Sequence, residues 1–377
     1  MSSSTGGGST ADASTVRDVA RLAGVSPATV SRVIGGTYPV AKTTRAKVLK
    51  AMRELDYVVN AHARVLGGAS NKTVAFVVND VTGAFYAHIA RGVEEQASAE
   101  GRLCLLCTTH GDPQRVIAVV EAMREQRADA VIVVGGALED RAYQERMTHF
   151  ATALDRAGSR LVLVGRPPLG EGVPATVVEY DNEGGAFAMT THLLTSGHRR
   201  VAYLGAVPGL STSTERVAGF RRAHKMLGVE PDPGLIVPGE FTRSFGYRAT
   251  RELLASKKEF TAVFAGTDMV AAGAIQAFRE AGLRVPEDVS VAGYDDIPFA
   301  MDLYPALTTV AVPLEEMGRD AVRLALYRDE FAGRQHKVFG THVVIRDSVR
   351  APGSAREARE DRGDSEARKP RKRPLKA

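Results

Sequence analysis

Cys104 and Cys107 stand in the spacing C-x-x-C, which can serve as a redox pair or as half of a metal site. A redox pair normally sits at a helix start, where the dipole lowers a thiol pKa. Here both lie inside the apolar run LCLLC, a strand pattern, and a spacing of three puts them on opposite faces. They therefore read as core residues. His88, His149, His192, His198 and His224 show no metal-ligand spacing, and the pairs Glu94-Glu95 and Glu315-Glu316 sit on helical patterns and read as solvated. The sequence has no P-loop, no G-x-S-x-G elbow and no H-E-x-x-H. Asp295-Asp296 is more informative, because it follows the strand pattern VSVAGY. A carboxylate just past the C-terminal end of a parallel strand lies where such sheets bind ligands. With no nucleophile–base pair beside it, recognition is favoured over an enzyme, and no cofactor or metal is expected.

A second group of side chains suits nucleic acid. From Thr15 to Gly68 the cations are Arg17, Arg21, Arg32, Lys42, Arg45, Lys47, Lys50, Arg53 and Arg64, against only Asp18, Glu54 and Asp56. The whole chain carries a formal charge of only +5, and a second basic cluster, ARKPRKRPLKA, ends it, so the long middle is slightly acidic. Within the basic stretch, Thr15 and Asp18 have the spacing of a capping box. Val16, Val19, Ala20 and Ala23 share one helical face, and Gly24 is a natural stop. Ser26 is a second N-cap with Pro27 at the first helical position; Val30, Val33 and Ile34 then point inward. Two short helices joined by a tight glycine turn form a helix-turn-helix, whose second helix enters the major groove. Arg32 is the side chain best suited to read guanine through paired donors. A third helix is expected near Thr44 to Leu55, with Val48, Met52 and Leu55 facing the core.

The elements that must position these groups change character along the chain. Residues 1–14 read as a disordered leader without an apolar segment, so no signal peptide is expected and the protein is read as cytoplasmic. Residues 15–59 form the small all-α head, 60–71 a hinge or linker, 72–350 the core, and 351–377 a basic disordered tail without leucine heptads. In the core, TVAFVV, LCLLCT, ADAVIVV, RLVLVG, TVVEY, RRVAYLG, TAVFAG, VSVAGY and HVVIR are strand candidates. Helical patterns such as Tyr86 to Ala99, Asn182 to Ser196, Ser213 to Leu227 and Met269 to Ala281 alternate with them. That alternation predicts an α/β core, and its length suits two doubly wound parallel-sheet lobes.

The strings DVARLAGVSPATVSRVI and VAKTTRAKVLKAMRELDYVVNAHARVL resemble the head of the lactose-repressor/galactose-repressor family. The resemblance continues through DNEGGAFAM, SGHRRVAYLG, ERVAGF, GYRAT, FAGTDMVAAGA, GLRVPEDVSVAGYDD and PALTTV, over roughly residues 15–350. It implies a homodimer on a pseudo-palindromic operator in double-stranded DNA, and a core shaped like a periplasmic sugar-binding protein with its ligand between the lobes. Carried residue by residue, it implies base reading by Pro27, Ala28 and Arg32, with Thr29 on the same helix. Thr15, Ser26, Thr44, Tyr57 and Asn60 become phosphate-contact candidates. Gly35 and Ala41 stand where relatives often carry Asn and Ser; Ala41 removes a cap for the third helix, and Thr43 is the substitute considered. Leu66 matches a leucine that wedges into the minor groove, with Ala63 and Arg64 lining that groove.

In the core the resemblance implies Phe85, Tyr86 and Phe241 as stacking residues, and Arg216 and Asp295 as polar grips on a polyhydroxylated ligand. Asp181 and Thr267 are weaker candidates; Thr267 departs from the Asn of sugar-sensing relatives. Leu210 falls near a position that carries Arg in purine-sensing relatives, which argues against a nucleobase. The function so implied is a ligand-responsive repressor of sugar or carbohydrate metabolism genes. The alternative is a constitutive or protein-partner-controlled DNA binder without a small-molecule effector. A transport-type binding protein would share the core but not the basic head.

Overall fold

The computed structural model describes residues 14–35, 39–57, 72–327 and 335–353. The head is α1 (Val16–Ala23), α2 (Pro27–Gly35) and α3 (Lys42–Glu54). Both halves of the capping box form at the start of α1: the Thr15 hydroxyl accepts from the Asp18 N–H, and the Asp18 carboxylate accepts from the Thr15 N–H. Gly24 ends the helix in the left-handed region, at φ 65°. Ser26 Oγ accepts from the Thr29 N–H at 3.2 Å and starts α2. Helix α3 begins after Ala41 with no side-chain cap. Thr43 does not replace it, because a cap must precede the helix in extended backbone and Thr43 is already the second helical residue. Val19, Ala20, Ala23, Val30, Val33, Val48 and Ala51 close the small core.

The larger part holds two parallel sheets. The first lobe uses β1 (Thr73–Val78), β2 (Leu103–Thr108), β3 (Ala130–Val134), β4 (Arg160–Val164), β5 (Ala175–Tyr180) and, late in the chain, β11 (His336–Phe339). The second uses β6 (Val201–Leu204), β7 (Ile236–Val237), β8 (Ala262–Ala265) and β9 (Ser290–Ala292). The strand orders are β2-β1-β3-β4-β5-β11 and β7-β6-β8-β9. Both sheets therefore reverse winding beside their first strand, between β1 and β3 and between β6 and β8. That reversal opens a crevice at the C-terminal strand ends. A small antiparallel pair, β10 (Thr309–Ala311) with β12 (His342–Val344), lies against the second lobe.

Helices α4 (Ala84–Ala99), α5 (Pro113–Glu125) and α6 (Arg141–Arg156) belong to the first lobe. Helices α7 (Asn182–Thr195), α8 (Ser211–Met226), α9 (Arg243–Ala255), α10 (Asp268–Glu280) and the short α11 (Phe299–Asp302) belong to the second. The chain then returns, and α12 (Leu314–Leu326) packs on α4 and on strands β3 to β5. Three segments thus cross between the lobes, at 180–182, 311–314 and 339–342. They run side by side: Asp181 N–H donates to Phe339 O at 2.9 Å, and Thr341 Oγ1 donates to Asp181 O at 3.0 Å.

Three helix pairs approach backbone to backbone through glycine. A Cβ at Gly92 of α4 would lie 2.0 Å from Glu315 O of α12, and one at Gly318 would lie 2.3 Å from Ile89 O. A Cβ at Gly219 of α8 would lie 2.1 Å from Glu183 O of α7, and one at Gly246 of α9 would lie 2.1 Å from Val270 O of α10. Only glycine fits at these crossings.

The structure corrects one expectation about the cysteines. Cys104 and Cys107 lie in β2, an edge strand covered by α4, and both are half-buried rather than core. With β1 its only ladder neighbour among the described residues, β2 leaves Leu103, Leu105 and Leu106 exposed, Leu103 by 70%. Burial pushes the Cys104 thiol up to about 11, the reverse of a redox cysteine.

Candidate functional site

On the head, Thr15, Ser26, Pro27, Ala28 and Arg32 are exposed, while Thr29, Thr44 and Tyr57 are half-buried. Ser26 Oγ and Thr29 Oγ1 share a hydrogen bond of 2.9 Å at the start of α2, and Tyr57 packs on the head core. Arg21 is paired with Asp18, and Lys50 reaches Glu54 at 3.6 Å. Among the described residues, Arg17, Arg32, Lys42, Arg45, Lys47 and Arg53 have no acidic partner within ion-pair distance. A small, strongly cationic domain without matching acids suits a phosphate backbone. Asn60, Ala63 and Leu66 lie outside the described residues.

In the core, the named candidates follow strand ends at the crevice. Phe85 and Tyr86 start α4 after β1; Asp181 follows β5; Thr267 follows β8; Asp295 follows β9. Phe85 and Tyr86 pack edge to face with centroids 5.5 Å apart, and Phe85 lies 6.3 Å from Tyr180. The centre of the cluster is Arg216, 2% exposed. Its Nε donates to Asn182 Oδ1 at 2.9 Å, and its Nη2 donates to the Tyr180 hydroxyl at 2.9 Å and to Asp295 Oδ1 at 3.1 Å. Its Nη1 donates to Gly266 O. The Tyr294 ring centroid is 3.7 Å from the guanidinium carbon and the Phe241 centroid 5.4 Å. Phe241 reaches this place because Gly205 and Gly266 leave room for its ring.

The expectation that Arg216 offers its donors to a ligand is thus altered: most of the fork is engaged by this protein's own oxygens. Asp295 keeps more freedom. Arg216 holds its Oδ1, and among the described residues no hydrogen bond reaches its Oδ2. Burial pushes the Asp295 carboxyl up to about 6, against the opposing pull of Arg216. Asp295 has φ 110° and Asp296 φ 52°, two successive left-handed residues. Asp268 braces this turn, accepting from Ile297 N–H at 2.9 Å and from Thr309 Oγ1 at 2.5 Å. Burial, reinforced by the nearby Asp295 charge, raises the Asp268 pKa well above the usual carboxylate range. The weaker candidates are occupied as helix caps: Asp181 Oδ1 accepts from Gly184 N–H at 2.7 Å and Thr267 Oγ1 from Val270 N–H at 3.3 Å.

The lobes meet at the mouth of the crevice. Ser211 N–H donates to Ala137 O at 2.9 Å, Ala137 N–H donates to Ser211 Oγ at 3.0 Å, and Leu138 forms a backbone bridge with Leu210. Sequence reasoning missed Tyr180, Asn182, Asp268 and Tyr294. Each sits next to a residue it did name (Asp181, Thr267 or Asp295), and that adjacency was the available signal.

Residues 15–60 match the model of bacterial regulatory proteins of the lacI family, and residues 190–349 match that of a periplasmic binding protein-like domain. The HTH-type transcriptional regulator DegA of Bacillus subtilis (strain 168) is 33% identical over 337 residues, covering 89% of this chain and 98% of DegA. The chain belongs to the lacI family of bacterial regulatory proteins.

Among its lacI-family relatives, the HTH-type transcriptional regulator CelR of Thermobifida fusca is 37% identical over 346 residues, covering 89% of this chain and 98% of CelR. A solved CelR–cellobiose complex is 35% identical with a TM-score of 0.64, covering 89% of this chain and 99% of that one. A lac repressor dimer bound to operator and the anti-inducer ONPF has a TM-score of 0.77. At 24% identity, with 90% of this chain and 100% of that one covered, it speaks to the fold. This lacI-family chain is a ligand-responsive, DNA-binding regulator of transcription. Among the described residues, no helix is long and apolar enough to cross a membrane.

Proposed function

We propose that this regulator acts as a homodimer on a pseudo-palindromic operator and represses genes of carbohydrate metabolism until a sugar enters the crevice. The observation that carries the sugar reading is the cluster at the strand ends. Phe85, Tyr86 and Phe241 supply faces for the C–H surfaces of a sugar ring, and Asp295 Oδ2 supplies a carboxylate oxygen for a hydroxyl. The cellobiose bound by CelR supports the same class of ligand. Arg216 orients Asp295 from behind, and Tyr180 and Asn182 orient Arg216. On the head, Arg32 reads a base edge beside Pro27 and Ala28. Thr15, Ser26, Thr29, Thr44, Tyr57 and Asn60 meet phosphates, and Ala63 and Leu66 enter the minor groove.

A ligand shifts the regulator only by binding two arrangements of the lobes unequally. The contacts of Ala137 and Leu138 with Ser211 and Leu210 are made in one arrangement and broken when the crevice opens. The test is operator titration of the full-length protein with a panel of mono- and disaccharides, alongside calorimetry. One class of sugar is expected to change operator affinity, and Asp295→Ala to lose that response. Operator affinity indifferent to every sugar, or an Asp295→Ala protein that responds as wild type does, would refute the reading.

A further inference from the structure

The basic cluster at residues 368–376 has no part in the head or in the crevice. Charge is sorted along the segment that carries it. From 354 to 367, Arg356, Arg359 and Arg362 stand among Glu357, Glu360, Asp361, Asp364 and Glu366, a mixed and slightly acidic spacer. From 368 onward the charges are of one sign: Arg368, Lys369, Arg371, Lys372, Arg373 and Lys376, with no acid between them. So dense a run of cations suits a polyanion. Leu375 is its one large apolar side chain, it has no aromatic residue, and Pro370 and Pro374 interrupt the periodicity of an amphipathic face. Its sequence therefore offers no apolar face for a bilayer or for a groove on another protein. These residues lie outside the described ones, but the described chain fixes where they start.

That start is the pole of the second lobe that faces away from the crevice. Residues 346–352 run past β9 toward the N-terminal end of its sheet: Val291 N–H donates to Ser348 O at 2.8 Å, Arg350 N–H donates to Ser290 Oγ at 3.0 Å, and a Cβ on Gly197 would lie 3.3 Å from Pro352. The head joins at the opposite pole. β1 begins at Thr73, at the N-terminal end of the first lobe's sheet, where Leu103 N–H donates to Lys72 O at 2.9 Å. Both lobes, with the crevice between them, thus separate residue 72 from residue 353. The exit pole does not supply the missing anions. Asp232 and Asp288 are paired with Arg200 at 3.2 Å and Arg284 at 3.0 Å. Glu259, Glu287 and Asp347 stand among Arg199, Lys257, Lys258 and Arg350, so the pole is mixed in sign rather than acidic.

We propose that residues 368–376 hold a second segment of double-stranded DNA, through its phosphates and without regard to sequence, while the head of the same protomer is on its operator. Duplex DNA presents a phosphate charge about every 1.7 Å of its axis, a continuous match for a run of cations. The head already concentrates the protein on DNA, which favours duplex over other polyanions. Reach decides which duplex. Residues 354–367 span at most ~50 Å when fully extended. A folded core of about 280 residues is itself about 50 Å across. The cationic end therefore returns to the operator under its own head only with the spacer fully stretched, whereas a duplex beside the second lobe lies within easy range. This contact does not depend on what enters the crevice.

The experiment compares the full-length wild type with a full-length variant in which Arg368, Lys369, Arg371, Lys372, Arg373 and Lys376 are all replaced by Gln. Each protein is first saturated with a short operator duplex fixed to beads, and a labelled duplex of unrelated sequence is then titrated in at several salt concentrations. Both proteins are expected to bind the operator alike, which also shows that the variant is folded. The wild type should capture the second duplex at least about tenfold more tightly than the variant at ~50 mM salt. Its log–log salt slope should be steeper by about 0.9 for each phosphate contact, up to about 5 for each protomer. Equal capture by the two proteins, or capture indifferent to salt, would overturn the contact. Weakened operator binding by the variant would place these cations in the operator grip and overturn the second segment. Preference for single-stranded RNA or for vesicles of anionic lipid, at equal phosphate concentration, would overturn duplex DNA as the partner.

Discussion

Replacing Arg216 by Met removes the centre of the crevice without removing its bulk, and the cost should depend on pH in a calculable way. The substitution leaves three neutral acceptors, Asn182 Oδ1, Gly266 O and the Tyr180 hydroxyl, without their donor. At roughly 1 kcal/mol each this amounts to about 3 kcal/mol. Asp295 adds a second, pH-dependent part. Its ordinary pKa is 3.8 and burial lifts it to about 6 in the fold, so the folded protein takes up a proton more readily than the unfolded chain. Stability therefore falls as pH rises from 3.8 to about 6, then levels off once Asp295 is ionised in both states. Without Arg216 the carboxyl loses the one cation that lowers its pKa among the described residues and that pKa rises further, so the variant goes on losing stability above pH 6. Each unit is worth ~1.4 kcal/mol, so the gap between wild type and variant should widen by about 2 kcal/mol between pH 5.5 and pH 7.5. The chain has no tryptophan, so urea unfolding is followed by far-UV circular dichroism. A gap that stays constant or narrows over this range would refute the assignment of Arg216 as the counter-charge of Asp295.

Gly219→Ala should destabilise the second lobe by about 2–3 kcal/mol, because a Cβ 2.1 Å from Glu183 O forces α7 and α8 apart; a thermal melt unchanged from wild type would contradict the close packing. Thr15→Ala removes the α1 cap and should cost the head about 1 kcal/mol, seen as faster amide exchange in α1 with the core unaffected. Arg32→Ala should lower operator affinity by about 1–3 kcal/mol per half-site and relax the preference at one base pair. Base selection by the variant that matches wild type would remove Arg32 from the reading face.

The apolar runs were the legible part of the fold. TVAFVV, RLVLVG and TVVEY became β1, β4 and β5 because a strand buried on both faces must be apolar throughout. The strands without that signal went unseen. β7 is two residues long, and β10 and β11 are short edge pieces whose position depends on a chain return that no local pattern records. LCLLCT misled in the opposite direction, since nothing in its composition says that β2 would be an edge. In the crevice, Asp295 was visible from its place after VSVAGY. Its pairing with Arg216 was not, because the two are 79 residues apart and meet only through the sheet order.

The glycine crossing between α7 and α8 governs how force leaves the crevice. Asn182 ends one of the three segments that join the lobes and begins α7, and Arg216 lies one turn before Gly219 on α8. With the two backbones in contact, neither helix can slide or tilt by itself to absorb a displacement. The hydrogen bond of 2.9 Å between Asn182 and Arg216 is therefore a rigid joint. A displacement of Arg216 is thereby tied through Asn182 to the crossing strand at 180–182, with little slack at the helix crossing. A side chain larger than hydrogen at position 219 would introduce play into that coupling. Such a variant could bind its effector in the crevice and still fail to release the operator.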